Sequence, residues 1–299
     1  MDTETATSNE LLYPLARIGR LGNDILSYLG DLGLLVPASA RALVHPEVPS
    51  RRLLAAVSGH WDWMLLMVTP LVVLVHVAMG SSLAMQAYFG GTFADGTGAV
   101  VGVGLVRNFA PLMTGILMAG MMAAKYVSEL RAGSLVGLDE DPSSVPDRDV
   151  VRGDRPDDRV APDPHRLAAV RMLAGAVACP VFSLLGVIVG TVVGWLIAAR
   201  MLGIGTHEYF GMFAAMLWTR DVVGLGLKGA AFGLIGALFA CHEGLRGGAK
   251  PGSASVPAAA CRAASFSAAA ILVVNSCWFL LAYHGGPAFG PTLMTPPGR

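Results

Sequence analysis

Five long apolar runs set the pattern of this chain, and its polar residues gather between them. Residues 64–89, 100–126, 172–199, 209–241 and 262–283 each have the length to cross a hydrocarbon core of roughly 30 Å as a helix. The third run is uncharged for 28 residues, which spans ~42 Å at ~1.5 Å per residue and crosses with tilt. Trp61 and Trp63 stand at the start of the first run, where an interfacial aromatic belt belongs. Ahead of it, Leu12, Leu15, Ile18, Leu21, Ile25 and Leu29 recur every three or four residues and form one apolar stripe on a helix over 11–35. The opposite face carries Arg17, Arg20 and Asp24. Such a helix is too polar to span, and no other soluble domain is visible for it to pack on. It is therefore expected to lie as an elbow helix in the headgroup layer.

Between the second and third runs the pattern fails. The segment at about 137–164 carries nine Asp/Glu, four Arg and five Pro among scarcely any apolar residues. It buries no core and reads as a flexible loop. The chain then divides into an N-terminal segment 1–52 with its interfacial helix, a five-helix unit 53–285 and a tail 286–299. The expected fold class is an all-α membrane protein with one elbow helix and five transmembrane helices.

Composition agrees with that pattern. Only 14% of the 299 residues are charged and 54% are hydrophobic, against about a quarter charged in soluble domains. The formal net charge of +0 gives no electrostatic reason to expect a nucleic-acid partner. Cys179, Cys241, Cys261 and Cys277 are scattered singly, a pattern of small core residues rather than of a disulfide frame or zinc site. Asp2 and Glu4 stand where a secretory leader would be basic. Arg17, Arg20, Arg41, Arg51, Arg52, Arg246 and Lys250 fall on one side of the expected spans, and between spans only Arg200 falls on the other. The positive-inside rule then places the chain in the cytoplasmic membrane with its N-terminus inside and its C-terminus outside.

The candidate chemistry lies in charges within the apolar runs. An arginine in hydrocarbon costs at least about 3 kcal/mol, so Arg107 needs a partner or a water-filled path. Asp221, expected at a similar depth in the fourth span, either pairs with Arg107 across helices or satisfies its neighbour Arg220. Lys228 lies seven residues from Asp221 and shares its helical face. Lys228 is 13 residues from Cys241, and Asn275 is 13 from Arg262, so these two side chains are candidates to touch. The polar stripe either lines a path for an amphipathic substrate or holds helices together. Gly115, Ala119 and Gly120 offer small surfaces for close helix packing. His76 reads as a hydrogen-bonded packing residue. Neither GLRGGAKPG nor GLGLKGAAFG has the spacing of a phosphate-binding loop. No catalytic triad pattern or metal-ligand cluster is evident. The expectation is a chain that is not an enzyme, with no metal and no cofactor of its own.

Several segments together carry a family resemblance: GSSLAMQ (80–86), VRNFAPLMTGILMAGMMAAKYVSEL (106–130), HRLAAVRMLAGAVACPVFSLLG (165–186), GMFAAMLWTRDVVGLGLKGAAFGLIGALFACHEGLRGG (211–248) and ASFSAAAILVVNSCWFLLAY (264–283). In this order they resemble the MlaE/YrbE permeases, membrane subunits of ABC lipid transporters that work with MCE-domain proteins. The HEGLRGG turn looks closest to the actinobacterial Mce-system type. The resemblance implies a second, MlaE/YrbE-like permease as a homo- or heterodimeric partner, a cytoplasmic ABC ATPase that binds the ATP, MCE-domain proteins, and membrane lipids as cargo. It also implies ATPase coupling around Glu129 and Arg131. Two departures stand out: Asn108 and Asn275 occupy positions where the family usually has carboxylates. A third is RAGSLVGL with the acidic insert, where relatives continue into a coupling helix. The alternative these departures raise is a transport-inactive scaffold that completes or anchors an Mce complex.

Overall fold

The computed structural model describes residues 4–44, 50–89, 97–136, 163–246 and 255–283. The acidic segment up to 162 and the tail beyond Tyr283 lie outside them. The described residues form eight helices: α1 (Glu4–Val44), α2 (Ser50–Phe89), α3 (Thr97–Gly104), α4 (Ala110–Val136), α5 (Pro164–Met201), α6 (Thr206–Met216), α7 (Thr219–Arg246) and α8 (Val256–Tyr283). A π-helical turn, Leu105–Phe109, joins α3 to α4. Five stretches are long and apolar enough to cross a membrane: Leu54–Ala87, Thr97–Ala132, Pro164–Met201, Thr219–Arg246 and Val256–Tyr283. The chain is thus an all-α protein of five candidate spans with α1 outside them.

Helices α4, α5 and α7 make the centre, with α2 packed on α5 and α8 on α4 and α7. Small residues permit this. Gly175 and Gly233 face each other across α5 and α7, where a Cβ on Gly175 would stand 2.7 Å from the Gly233 carbonyl oxygen. A Cβ on Gly229 would meet the Pro180 backbone at 2.8 Å, so the two helices cross with backbones nearly touching. Gly80 and Gly190 do the same for α2 and α5. His76 is buried beside Gly186, and its Nδ1 lies 2.7 Å from the Val72 carbonyl oxygen, as a packing residue requires. Cys179 and Cys241 are buried, whereas Cys261 and Cys277 face outward on α8 and are not core residues.

On α1, Leu35 and Ser39 are buried against the bundle while Ile25, Leu26, Leu29 and Leu34 are exposed. The predicted stripe residues Ile25 and Leu29 are exposed, as is Asp24 on the opposite face, while the side chains of Leu12, Leu15, Ile18 and Leu21 lie outside those described. The outward faces of α2, α5 and α8 are apolar, with Leu66, Leu74, Ile188, Val273 and Leu281 exposed.

Two spans differ from their expected form. The second, read as one continuous helix, is broken into α3, the π turn and α4. Pro111 accounts for this: with no N–H it cannot bond the Arg107 carbonyl, and the ladder shifts so that the Ala110 N–H bonds the Leu105 carbonyl. The fourth, read as one span over about 209–241 interrupted by Arg220, Asp221 and Lys228, is two helices separated at Leu217, which is extended (φ −90°, ψ 137°). The break falls just before Thr219, Arg220 and Asp221, and a charge inside an apolar run does not by itself say that the helix stops. Helix α6 turns back onto α3, where a Cβ on Gly98 would collide with the Tyr209 backbone.

Candidate functional site: a polar knot at the π turn

The break before α7 exposes backbone groups that the sequence nearby satisfies. Asp221 is the third residue of α7, and its Oδ2 accepts the Trp218 N–H at 2.9 Å, the reach-back half of a capping box. The same oxygen is 2.9 Å from Arg107 Nη2, and Tyr283 donates its hydroxyl to Oδ1 at 2.6 Å. Three donors from three elements thus hold one carboxylate whose side chain is 0% exposed. Arg107 also donates to the Met216 carbonyl at 2.8 Å, which satisfies the end of α6. The Arg107 and Asp221 side chains meet, but Asp221 does so from the first turn of α7 rather than from deep within the fourth span.

Lys228 is 2% exposed and donates its ammonium to the Arg107 carbonyl, the oxygen that Pro111 leaves without a helical donor. Its Nζ also stands 5.0 Å from the centre of the Phe279 ring, a cation–π contact. Asn275 gives its amide to Asn108 Oδ1 at 2.9 Å. The expected contact of Lys228 with Asn275 is absent: Asn275 Oδ1 is buried with no hydrogen-bond partner among the described residues. Arg107, Asn108, Asp221, Lys228 and Asn275 therefore form one network through the π turn, α7 and α8. Arg107 Nε and Arg220 Nε, like Asn275 Oδ1, are buried with no hydrogen-bond partner among the described residues, and the Arg107 side chain keeps 21% exposure.

Sequence reasoning missed the parts that Arg220, Trp218 and Tyr283 play here. Arg220 lies between the Trp218 and Tyr283 rings, 4.0 and 4.6 Å from their centres, and so contacts aromatic faces where a pairing with Asp221 was the alternative. Tyr283 ends the fifth run, a place that also suits a simple interfacial anchor. The available signal was Pro111, three residues after Asn108.

A second polar layer lies at the other end of α4. Glu129 pairs with Lys125 at 2.9 Å and with Arg171 at 3.0 Å, and its side chain is 35% exposed. Arg131 is turned inward, 6% exposed, and donates to the Glu243 carbonyl at 3.1 Å. The Glu243 carboxylate meets Arg262 at 2.7 Å, which ties α7 to α8. Of the packing residues, Gly115 and Ala119 meet α7: a Cβ on Gly115 would be 2.8 Å from Phe232 Cβ, and one on Gly236 would be 3.0 Å from Ala119 Cα. Gly120 does not serve this packing, because it lies one position round the helix and has open space within 4 Å. No group of three or more His, Cys, Asp or Glu side chains able to hold a metal occurs among the described residues.

The comparison with known proteins agrees with this architecture. A probable ABC transporter permease protein of Rickettsia prowazekii (strain Madrid E) is 24% identical over 216 residues, covering 69% of this chain and 74% of that protein. Its counterpart in Rickettsia typhi (strain ATCC VR-144 / Wilmington) matches with the same identity and coverage. The family described as Permease MlaE matches residues 59–133 and 161–281, both parts of the five-span unit and most of the chain. With its five apolar helices in the family's place, the chain belongs to the MlaE permease family and is a membrane permease subunit of ABC-transporter type.

Proposed function

We propose that this permease moves lipids across the cell envelope as one half of a permease pair, together with MCE-domain proteins and driven by a separate cytoplasmic ATPase. The ATP is bound by that ATPase, and the chain needs no cofactor of its own. In this reading the permease sits in the cytoplasmic membrane with its N-terminus inside, and Glu129 and Arg131 lie at the end that meets the ATPase. The second permease, identical or related, covers part of the outward apolar surface.

The observation that carries the reading is the knot at the π turn. A lipid has a polar head and apolar tails, and the knot sets three polar atoms with no hydrogen-bond partner among the described residues, Arg107 Nε, Arg220 Nε and Asn275 Oδ1, within an apolar bundle. Intramembrane charges of this kind mark substrate pathways. Asn108 and Asn275 bond each other without net charge, which leaves Arg107 and Lys228 as that network's cations: Arg107 keeps 21% side-chain exposure, and Lys228 reaches a lipid phosphate only by leaving the Arg107 carbonyl.

The test is co-purification with the ATPase and partner permease, followed by ATP turnover with and without added phospholipid. Lipid-stimulated turnover that falls on Lys228→Ala supports the proposal. Turnover unchanged by Glu129→Ala, by removal of residues 139–160 and by Lys228→Ala makes the chain a scaffold instead.

A further inference from the structure

At the end of the bundle where α5 begins and α7 ends, a cavity of about 340 Å³ opens between them and α1, lined by Asp31, Leu34, Leu35, His165, His242 and Arg246 among others. Its size falls at the lower end of the ~300–1,000 Å³ typical of small-ligand sites. It lies apart from the π-turn knot and shares none of its residues.

The lining sorts by chemistry. Arg246 is exposed at the mouth, its guanidinium 5.2 Å from the centre of the Tyr28 ring. His242 is 5% exposed, stands edge-on to Tyr28 at 4.5 Å between ring centres, and has no partner for Nδ1 among the described residues. His165 lies in the first turn of α5, where the Asp163 carboxylate already accepts its backbone N–H at 3.0 Å, so only its side chain, which lines the cavity, is offered to an anion. Facing these nitrogens, Asp31 supplies a carboxylate from α1. The floor and lip are apolar, and Leu34 is 70% exposed beside the opening.

We propose that this cavity binds the headgroup of an aminophospholipid. The phosphate lies against Arg246, His242 and His165, the ammonium against Asp31, and the acyl chains run out over Leu34 and the exposed leucines of α1. A buried imidazole with an unpartnered nitrogen is costly unless a ligand or water satisfies it, and a phosphate oxygen is a suitable acceptor once that nitrogen carries a proton. The exposed apolar face of α1 favours a lipid over a soluble phosphate. A bound lipid would fasten α1 to α5 and α7, which it touches over a narrow strip.

Native mass spectrometry of the full-length chain in detergent, titrated with phosphatidylethanolamine, tests the proposal. Arg246→Glu and His242→Ala are each expected to weaken retention about tenfold or more, the scale of losing one charge-assisted hydrogen bond. Arg246→Lys should retain most of the binding, and Asp31→Asn should weaken phosphatidylethanolamine while sparing phosphatidylglycerol. Retention equal to wild type in Arg246→Glu overturns the site, and because that side chain is exposed, the variant decides the matter even if His242→Ala does not fold. Displacement of the lipid by inorganic phosphate as readily as by glycerophosphoethanolamine also overturns the lipid assignment, because the cavity then takes soluble phosphate.

Discussion

Asp221 has no exposed side-chain surface, and each of its two carboxylate oxygens has a donor. Removing one member of such a buried pair leaves the other charge uncompensated, at about 3–5 kcal/mol. Asp221→Asn and Arg107→Ala should each lower thermal stability in detergent by that order. The double variant should be less destabilised than the sum, by about 0.5–3 kcal/mol of coupling. Strict additivity would mean that the 2.9 Å contact does not hold the fold together. Tyr283→Phe should cost less, about 1–3 kcal/mol, since Asp221 keeps its other donors. At this scale the sequence showed Arg107 and Asp221 plainly, because a charge inside an apolar run has few innocent explanations. Tyr283 and Trp218 were invisible, because an aromatic at the end of a span looks the same whether it anchors to lipid or serves a carboxylate.

Among the elements, the π turn links the sequence to the site most directly. Pro111 withholds an N–H, the Arg107 carbonyl is left open, and Lys228 takes it. Lys228→Met should therefore destabilise by about 1–3 kcal/mol, the cost of a buried unsatisfied carbonyl. Adding Pro111→Ala should restore part of the lost melting temperature, because an alanine at that position can supply the missing helical N–H. A double variant no more stable than Lys228→Met alone would contradict this account. Helix packing gives a second contrast. Gly233→Leu drives a side chain into the Gly175 backbone and should exceed the ~1–3 kcal/mol usual for overpacking, whereas Gly120→Leu meets open space and should leave the melting temperature of the isolated chain undiminished. All five spans were legible from apolar length alone. The breaks at 105–109 and 217 were not, because the polar residues beside them, Arg107, Asn108, Arg220 and Asp221, mark charge in a span without saying that the helix stops there. They are set by a missing N–H and by a cap that closes only when α4, α7 and α8 assemble.

For the molecule as a whole, five apolar helices place the chain across a membrane, and the polar atoms inside them are concentrated in two layers. One is the knot at the π turn, where Arg107 Nε, Arg220 Nε and Asn275 Oδ1 have no hydrogen-bond partner among the described residues. The other is the ion-paired end around Glu129, Arg171, Glu243 and Arg262. The family makes the chain a permease of ABC-transporter type, which implies an ATPase partner in general, and under the proposed function the knot is where a lipid head would find polar partners. The direct measurement is ATP-driven movement of a fluorescent phospholipid in proteoliposomes holding the full complex, with wild-type chain or with Lys228→Ala. The account predicts transfer that stops when the ATPase is inactivated and falls about tenfold or more in the variant, as when one charge-assisted bond to the lipid is lost. Transfer at the wild-type rate in a folded, fully assembled Lys228→Ala complex would contradict it.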